Sequence, residues 1–146
     1  MLKLYLDNCC YNRPFDDLRQ EKNNLEAQAI KVIIDKYWKN EFEIYTSDAL
    51  VFEMNNIKDQ IKRAKVIEVY NRLNLTNIQS SNNILKRACE IRKYNIKNMD
   101  SLHIAYAESS NIDYFITTDR LLINASSRAD LKVKVINPIN FIMEVI

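Results

Sequence analysis

With 146 residues, of which 47% are apolar, the chain is long enough to bury a substantial core, and we expect residues 1–146 to form a single domain. Its 21 basic and 19 acidic residues leave a net charge of +2, which is less basic than most nucleic-acid-binding domains but does not exclude RNA. The absence of glycine excludes the glycine-rich loops that bind nucleotide phosphates.

Cysteine usage and hydropathy indicate the compartment. Cys9, Cys10 and Cys89 are odd in number and include no CxxC pair, so neither a disulfide framework nor a cysteine zinc site is predicted. No apolar run approaches the ~18 residues of a membrane span. The N-terminal apolar stretch ends at Asp7 and is too short for a signal peptide. We therefore expect a cytoplasmic protein with no membrane partner.

Hydrophobic periodicity predicts strands that alternate with helices. In the first half of the chain the predicted elements are a strand at residues 2–6, a helix from residue 16 or 17 to about 38, a strand at 43–46, a helix from the N-cap Ser47 through Met54, and a basic helix at 57–73. Because the chain lacks glycine, left-handed turn residues are expected to be asparagines, in the pairs at residues 23–24, 55–56 and 82–83.

The second half of the chain continues the alternation. Its predicted elements are a helix capped by Ser80 or Ser81 and ending near residue 94, a helix capped by Asn98 and ending near 110, a strand at 113–119, a short helix at 121–125, a strand at 132–136, and a last helical turn that begins at Pro138. No repeat, linker or low-complexity segment interrupts this pattern.

Strands separated by helices predict an α/β fold in which right-handed crossovers place helices on both faces of a parallel sheet. Ligands of such folds bind outside the carboxyl ends of the strands. Asp7 and Asp119 each follow an apolar strand. Asp100 lies in the first turn of its helix, and Glu53 lies on the helix that Ser47 begins. We therefore expect these acids to meet at one edge of the sheet.

Converging carboxylates repel one another at neutral pH, so they hold either protons or cations. Carboxylates without histidine or thiolate partners favour a hard ion such as Mg²⁺ or Mn²⁺. A histidine-bound zinc centre is disfavoured because His103 is the only histidine. Carboxylate-bound divalent ions can activate water and stabilise the attacking and leaving oxygens of a phosphodiester, so the pattern indicates a nuclease.

Three segments resemble the PIN-domain ribonucleases, a family that includes the VapC-type toxins of bacterial toxin-antitoxin pairs. They are LYLDNCCYNRPFDD at residues 4–17, SDALVFEM at 47–54 and MDSLHIAYAESSNIDYFITTD at 99–119. The resemblance implies a three-layer α/β/α sandwich with a central parallel sheet, formed by a single PIN-like domain over residues 1–146. It also implies a homodimer and inhibition by an antitoxin protein.

The resemblance also implies the roles of individual residues. The expected catalytic residues and ligands of Mg²⁺ or Mn²⁺ are Asp7, Glu53, Asp100 and Asp119, with metal-activated water cleaving single-stranded or looped RNA. The residues expected to contact the substrate or to support the metal ligands are Asn8, Asn12, Arg13 and Thr117. Many family members carry Asn or Ser two residues after the first acid, whereas this chain carries Cys9.

Several residues keep a second, structural interpretation. Asp7 can simply terminate a strand, and Asp100 or Asp119 can cap helices, since Asp is a common N-cap residue. Arg13 can either contact a substrate phosphate or form an ion pair with Asp16 or Asp17. For His103, a partly buried helix residue with a hydrogen-bonded ring is favoured over a general base.

Other function classes fit the sequence less well. A haloacid-dehalogenase-like phosphohydrolase needs a second acid at the position of Cys9, and a response-regulator receiver needs an acid pair and a late lysine that are not found here. The remaining alternative is a non-catalytic PIN-like module that binds RNA or a protein partner.

Overall fold

The computed structural model describes residues 1–146 and contains one five-stranded sheet in the order β3-β2-β1-β4-β5, with every neighbouring pair parallel. The strands are β1 (Leu2–Leu6), β2 (Phe42–Ser47), β3 (Thr76–Ile78), β4 (Tyr114–Ile116) and β5 (Lys134–Ile136). The helices are α1 (Asn8–Asn12), α2 (Glu21–Trp38), α3 (Asp48–Asn55), α4 (Gln60–Leu73), α5 (Asn82–Arg92), α6 (Asn98–Ser109), α7 (Arg120–Ser127) and α8 (Pro138–Val145). A 3-10 turn, Arg13–Phe15, links α1 to the segment before α2.

Two separate apolar cores cover the two faces of the sheet. On one face, Tyr5 and Phe115 of the central strands pack with residues of α5, α6 and α7, such as Ile91 and Ile104. On the other face, Leu4 and Leu6 pack with residues of α2, α3, α4 and α8. This arrangement confirms the predicted three-layer α/β/α sandwich. None of its helices has both the length and the apolar character of a membrane span.

The alternation of side chains along a strand decides which face receives the polar residues at the strand ends. Tyr5 pairs in register with Phe115, and both belong to the core covered by α5 and α6. Asp7 and Thr117 follow two residues later, and the ladder continues there because the Asp7 amide donates to the Ile116 carbonyl. The Asp7 and Thr117 side chains therefore lie on the α6 side of the sheet, at its carboxyl edge.

Several predicted elements differ in the structure. Asn98, expected to cap its helix, is the first residue of α6, and the strand expected at 113–119 is limited to Tyr114–Ile116. The helix expected to begin at residue 16 or 17 begins at Glu21, and the residues before it form α1 and the 3-10 turn. The short strand β3 was missed, and so the sheet has five strands rather than four. The basic helix begins at Gln60 rather than at residue 57, because Asp59 caps it by accepting hydrogen bonds from the amides of Ile61 and Lys62.

The prediction that asparagine replaces glycine in left-handed turns is confirmed, but the predicted positions of these asparagines were wrong. The residues with positive φ are Asn40, Asn74, Asn95 and Asn111, with φ between 49° and 63°. Each lies just after a helix, where the chain must leave the helix in a left-handed conformation. None belongs to the asparagine pairs expected from the sequence.

Candidate metal centre

The four acids expected at the sheet edge line one cavity of about 440 Å³, called here the acid cavity. The residues lining the acid cavity are Asp7, Asn8, Cys9, Asn12, Arg13, Asp16, Glu53, Lys62, Asp100 and Asp119. The four acids come from four separate parts of the chain: the end of β1, the middle of α3, the first turn of α6 and the loop between β4 and α7. Their shared location follows from the parallel sheet, which directs the carboxyl ends of β1 and β4 to the same edge.

Asp7 is the most buried of these acids, with 6% of its surface exposed. It caps α1, because its Oδ1 accepts a 2.8 Å hydrogen bond from the Asn8 amide. Its Oδ2 accepts a 2.8 Å hydrogen bond from the Thr117 hydroxyl. Burial, followed by the charges of Cys9 and Asp100, raises the pKa of Asp7 well above its usual value. A cation placed in the cavity would offset this cost of burying the carboxylate.

Asp119 and Thr117 are coupled through the backbone. The Thr117 hydroxyl accepts a 3.1 Å hydrogen bond from the Asp119 amide while it donates to Asp7. Asp119 caps α7, and its Oδ1 accepts both capping bonds, from the amides of Leu121 and Leu122 at 3.0 and 3.2 Å. The capping role considered from the sequence is therefore present, and it leaves Oδ2 available to the cavity.

Asp100 lies half-buried in the first turn of α6. Burial is the largest cause that raises its pKa, and the charges of Asp119 and Glu53 raise it further. Asp119 and Glu53 are therefore each close enough to Asp100 to disfavour its negative charge. No lysine or arginine forms an ion pair with any of the four acids, since Lys62 and Arg13 both contact Asp16 instead.

Glu53 reaches the cavity from α3 and contacts His103 of α6 through its Oε1 and the ring Nε2. His103 is fully buried, and its other nitrogen, Nδ1, lies 2.7 Å from the Tyr5 hydroxyl. The Tyr5 hydroxyl in turn lies 2.6 Å from the Ser47 hydroxyl. Potential ligand atoms of Asp7, Glu53 and His103 all lie within 4.8 Å of one another. His103 thus has the hydrogen-bonded ring that the sequence favoured, and it is fully rather than partly buried.

Cys9 lies on α1 two residues after Asp7, and its side chain contacts the residues beside the acids. Its sulfur lies 3.3 Å from the Thr117 hydroxyl and 3.6 Å from Asp7 Oδ2. The Thr118 amide donates to the same sulfur at 3.3 Å. The neighbouring Cys10 thiol is the largest cause that lowers the pKa of Cys9 to about 6, with the Thr117 and Thr118 contacts contributing in the same direction.

Arg13 forms two hydrogen bonds and one further ion-pair contact with protein groups, and its Nε has no hydrogen-bond partner. Its Nη1 donates to Asp16 at 2.7 Å, its Nη2 donates to Thr118 at 3.0 Å, and its Nε lies 3.1 Å from Glu26. Of the two interpretations considered for Arg13, the ion pair with Asp16 is therefore present. Glu26 is completely buried and also accepts a 2.6 Å hydrogen bond from Asn137.

Asn8 and Asn12 face the acid cavity side by side on α1. The Asn12 amide donates to the Asn8 backbone carbonyl at 2.8 Å and to the Asn8 side-chain oxygen at 3.1 Å. The pair therefore forms a fixed polar wall beside the acids.

Sequence reasoning missed two buried groups near this cavity. Glu26 gave no signal, because a glutamate within an amphipathic helix is normally solvated. The hydrogen bonds that connect Ser47 and Tyr5 to Glu53 through His103 were also not predictable from the sequence. Only His103 attracted attention, as the single histidine, three residues after Asp100.

The donor set fits a hard divalent ion. Asp7, Glu53, Asp100 and Asp119 offer only carboxylate oxygens, which suit Mg²⁺ and Mn²⁺. Burial is the largest cause that raises the pKa values of Asp7 and Asp100, and neighbouring acids raise them further, so a bound cation would stabilise both carboxylates. The residues present therefore match the requirements of such an ion.

Comparisons with known proteins agree with this description. The family model described as PIN domain matches residues 17–126. A solved chain of VapBC2 from Rickettsia felis, bound to a DNA fragment from their promoter, has the same fold with a TM-score of 0.58 and 15% sequence identity, over 93% of this chain and 98% of that chain. No curated protein matches the chain in sequence.

Proposed function

The chain belongs to the PIN domain family, and from this premise we propose that it is a metal-dependent endoribonuclease, the toxin of a toxin-antitoxin pair. The observation that carries the proposal is the acid cavity, where Asp7, Glu53, Asp100 and Asp119 meet without an ion pair to lysine or arginine. Such a site favours Mg²⁺ or Mn²⁺, and the bound ion supplies the Lewis-acid chemistry that activates water and neutralises charge on a phosphodiester.

The protein's own groups have distinct tasks in this proposal. Asp7, Glu53, Asp100 and Asp119 hold the ion, and Thr117 keeps the Asp7 carboxylate in place through its 2.8 Å hydrogen bond. Asn8 and Asn12 offer amide groups to the RNA backbone from the α1 wall of the cavity. Arg13 lines the same cavity, where Asp16 and Thr118 hold its guanidinium in place.

The wider biological role is proposed on the same basis. The VapBC2 chain with the same fold was solved together with its partner and promoter DNA, which supports an antitoxin partner for this chain as well. A homodimer and a single PIN-like domain over residues 1–146 belong to the proposal. RNA rather than DNA is proposed as the substrate because of the resemblance to PIN-domain ribonucleases.

A cleavage assay tests the activity. Purified protein is incubated with a fluorescent single-stranded RNA and a stem-loop RNA in the presence of Mn²⁺ or Mg²⁺, next to the variants Asp7→Asn and Asp100→Asn. Asp48→Asn serves as the matched control, because Asp48 is an exposed acid of α3 outside the acid cavity. We expect the wild type and Asp48→Asn to cut equally and the two cavity variants to lose at least about a hundredfold in rate.

The other outcomes are equally informative. Equal cutting by all four proteins indicates a contaminating nuclease. No cutting by the wild type, together with retained RNA or protein binding, identifies the non-catalytic module. The toxin role is tested separately by expression in bacteria, where growth arrest by the wild type and its relief by Asp7→Asn are expected.

A further inference from the structure

A line of buried hydrogen bonds runs from the backbone of α3 through the sheet and α6 and back to Glu53 on the same helix α3. Its members are Ser47, Tyr5 and His103, each with essentially no exposed surface. The Ser47 hydroxyl lies 2.6 Å from Tyr5 Oη, which lies 2.7 Å from His103 Nδ1, and His103 Nε2 contacts Glu53. Ser47 also caps α3 by accepting the Leu50 amide hydrogen at 3.4 Å.

The two ends of this line determine the direction of every bond within it. An ionised carboxylate only accepts hydrogen bonds, so His103 Nε2 must donate to Glu53. In a neutral imidazole, Nδ1 then carries the lone pair and accepts from the Tyr5 hydroxyl. Because Tyr5 uses its hydrogen to donate to His103, its oxygen accepts the hydrogen of the Ser47 hydroxyl. The Ser47 oxygen in turn accepts a hydrogen bond from the Leu50 amide. All donors and acceptors of the line are satisfied in this one arrangement.

The reverse arrangement leaves a buried group unpaired. If Nδ1 carried the proton, Tyr5 would donate to Ser47 instead, and the Ser47 hydroxyl hydrogen would have no partner in a site without exposed surface. An unsatisfied buried hydroxyl costs about 1–3 kcal/mol. In that arrangement the unprotonated Nε2 would also face the Glu53 carboxylate, and two acceptors repel each other.

We infer that Ser47, Tyr5 and His103 form a one-directional hydrogen-bond chain that locks the histidine tautomer and holds the Glu53 carboxylate facing the acid cavity, so that Tyr5 and His103 are positioning residues for the divalent ion. The inference rests on the proposed metal site. Glu53 needs this support more than the aspartates do, because it has the longest side chain of the four acids and no bond to its own helix backbone. Ser47, which caps the helix that carries Glu53, and His103, which contacts Glu53, both hydrogen-bond to Tyr5 in the central strand β1.

The histidine spectrum gives a test that needs neither metal nor RNA. His103 is the only histidine, so a ¹H–¹⁵N spectrum of imidazole nitrogens contains one ring. At about pH 8, where an ordinary imidazole is neutral, we expect a protonated Nε2, an unprotonated Nδ1 and a slowly exchanging ring proton. A ring protonated at Nδ1 overturns the inference, because it reverses the chain and makes Nε2 a free ligand atom.

The variant Tyr5→Phe removes one hydroxyl and keeps the aromatic ring that stacks on Phe115. We expect Nδ1 to lose its hydrogen-bond donor, which shifts its ¹⁵N resonance while Nε2 stays protonated because it donates to Glu53. We also expect the affinity for Mn²⁺, measured by calorimetry without RNA, to fall about 10- to 100-fold. The matched control is Tyr37→Phe, which also removes a hydrogen-bonded tyrosine hydroxyl. The Tyr37 hydroxyl donates a 2.8 Å hydrogen bond to the Leu73 carbonyl, and neither residue lines the acid cavity. Mn²⁺ affinity within twofold of the wild type in Tyr5→Phe overturns the inference.

Two histidine variants separate positioning from simple packing. The side-chain amide of His103→Gln can place an N–H near the position of Nε2, whereas that of His103→Asn reaches only the position of Nδ1. We expect Gln to keep more of the Mn²⁺ affinity than Asn, although both remove the ring. Equal loss in both variants contradicts the positioning role.

Failure of the proposed function gives a different result. In that case the wild type neither binds Mn²⁺ nor cuts RNA, and the hydrogen-bond chain is judged from the ring spectrum alone.

Discussion

The Thr117 hydroxyl donates a 2.8 Å hydrogen bond to the Asp7 carboxylate, joining the ends of two neighbouring strands, β1 and β4, at the floor of the acid cavity. The same Thr117 oxygen also accepts a hydrogen bond from the Asp119 amide. One hydroxyl therefore sets the relative positions of two proposed metal ligands that are more than one hundred residues apart in the chain.

The variant Asp7→Asn should make the metal-free protein more stable while it abolishes metal binding. Burial raises the pKa of Asp7, so the folded protein binds the carboxyl proton more tightly than the unfolded chain does. The stability contributed by that proton is fully present below the unfolded pKa, about 4, and is lost as the pH rises through the folded pKa. The buried Asp7 carboxyl group therefore lowers the free energy of unfolding at pH 7 relative to pH 4, and the Asp7→Asn variant removes this loss.

Denaturant unfolding at pH 7 in a chelator measures this effect, with Asp48→Asn as the exposed control. We also expect the gain from Asp7→Asn to shrink as the pH is lowered towards 4. A variant less stable than the wild type at pH 7 would show that Asp7 is held by its hydrogen bonds more strongly than it is penalised by burial.

The variant Glu26→Gln should destabilise the fold by about 3 kcal/mol. Glu26 has no exposed surface and lies 3.1 Å from Arg13 Nε, so its neutralisation leaves a partly buried guanidinium without its inner partner. Urea unfolding measures the change. The control Glu68→Gln breaks the exposed ion pair with Arg72 and should cost less than about 1 kcal/mol; equal costs would show that the buried pair has no special weight.

The variant Asn74→Ala should lower the free energy of unfolding by about 1 kcal/mol, whereas Asn74→Gly should leave it unchanged or raise it. Asn74 ends α4 with φ 49° and ψ 55°, a left-handed conformation that is costly for alanine and free for glycine. Its side chain is exposed, so lost packing does not obscure the comparison. Chemical denaturation of the two variants checks the order.

The variant Cys9→Ser should retain RNA cleavage. A serine oxygen can accept the Thr118 amide hydrogen and lie next to Thr117, as the Cys9 sulfur does. Cys9→Val, similar in size but without a polar atom, should reduce the cleavage rate because the Thr118 amide then loses its acceptor. If Cys9→Ser is inactive while Cys89→Ser, at an exposed site, is active, the thiol has a role that its hydrogen bonds do not explain.

Four of the five strands, and the two acids that follow strands, Asp7 and Asp119, were predictable from local patterns. An apolar strand that ends at an acid can be read directly from residues 2–7 and 113–119, and parallel topology brings such ends together. In contrast, α1 has five residues and β3 has three, too few for periodicity to identify. The left-handed asparagines depend on where each helix ends, which packing decides.

Buried polar groups were the least predictable part of the site. The hydrogen bond between Asn137 and Glu26 joins residues 111 positions apart, and the one between His103 and Tyr5 joins residues 98 apart. Neither pair leaves a pattern in its own segment. Such partners become visible only when the fold has placed them within 3 Å.

The position of β1 in the middle of the sheet has a consequence for the timing of activity during synthesis. The strand that carries Asp7 is translated first, yet its neighbour β4 and the acids Asp100 and Asp119 are translated in the last third of the chain. A nascent polypeptide on the ribosome thus carries only two of the four cavity acids until Asp100 and Asp119 are made. Under the proposed function, the growing chain therefore lacks a complete acid cavity while most of its own message is being translated.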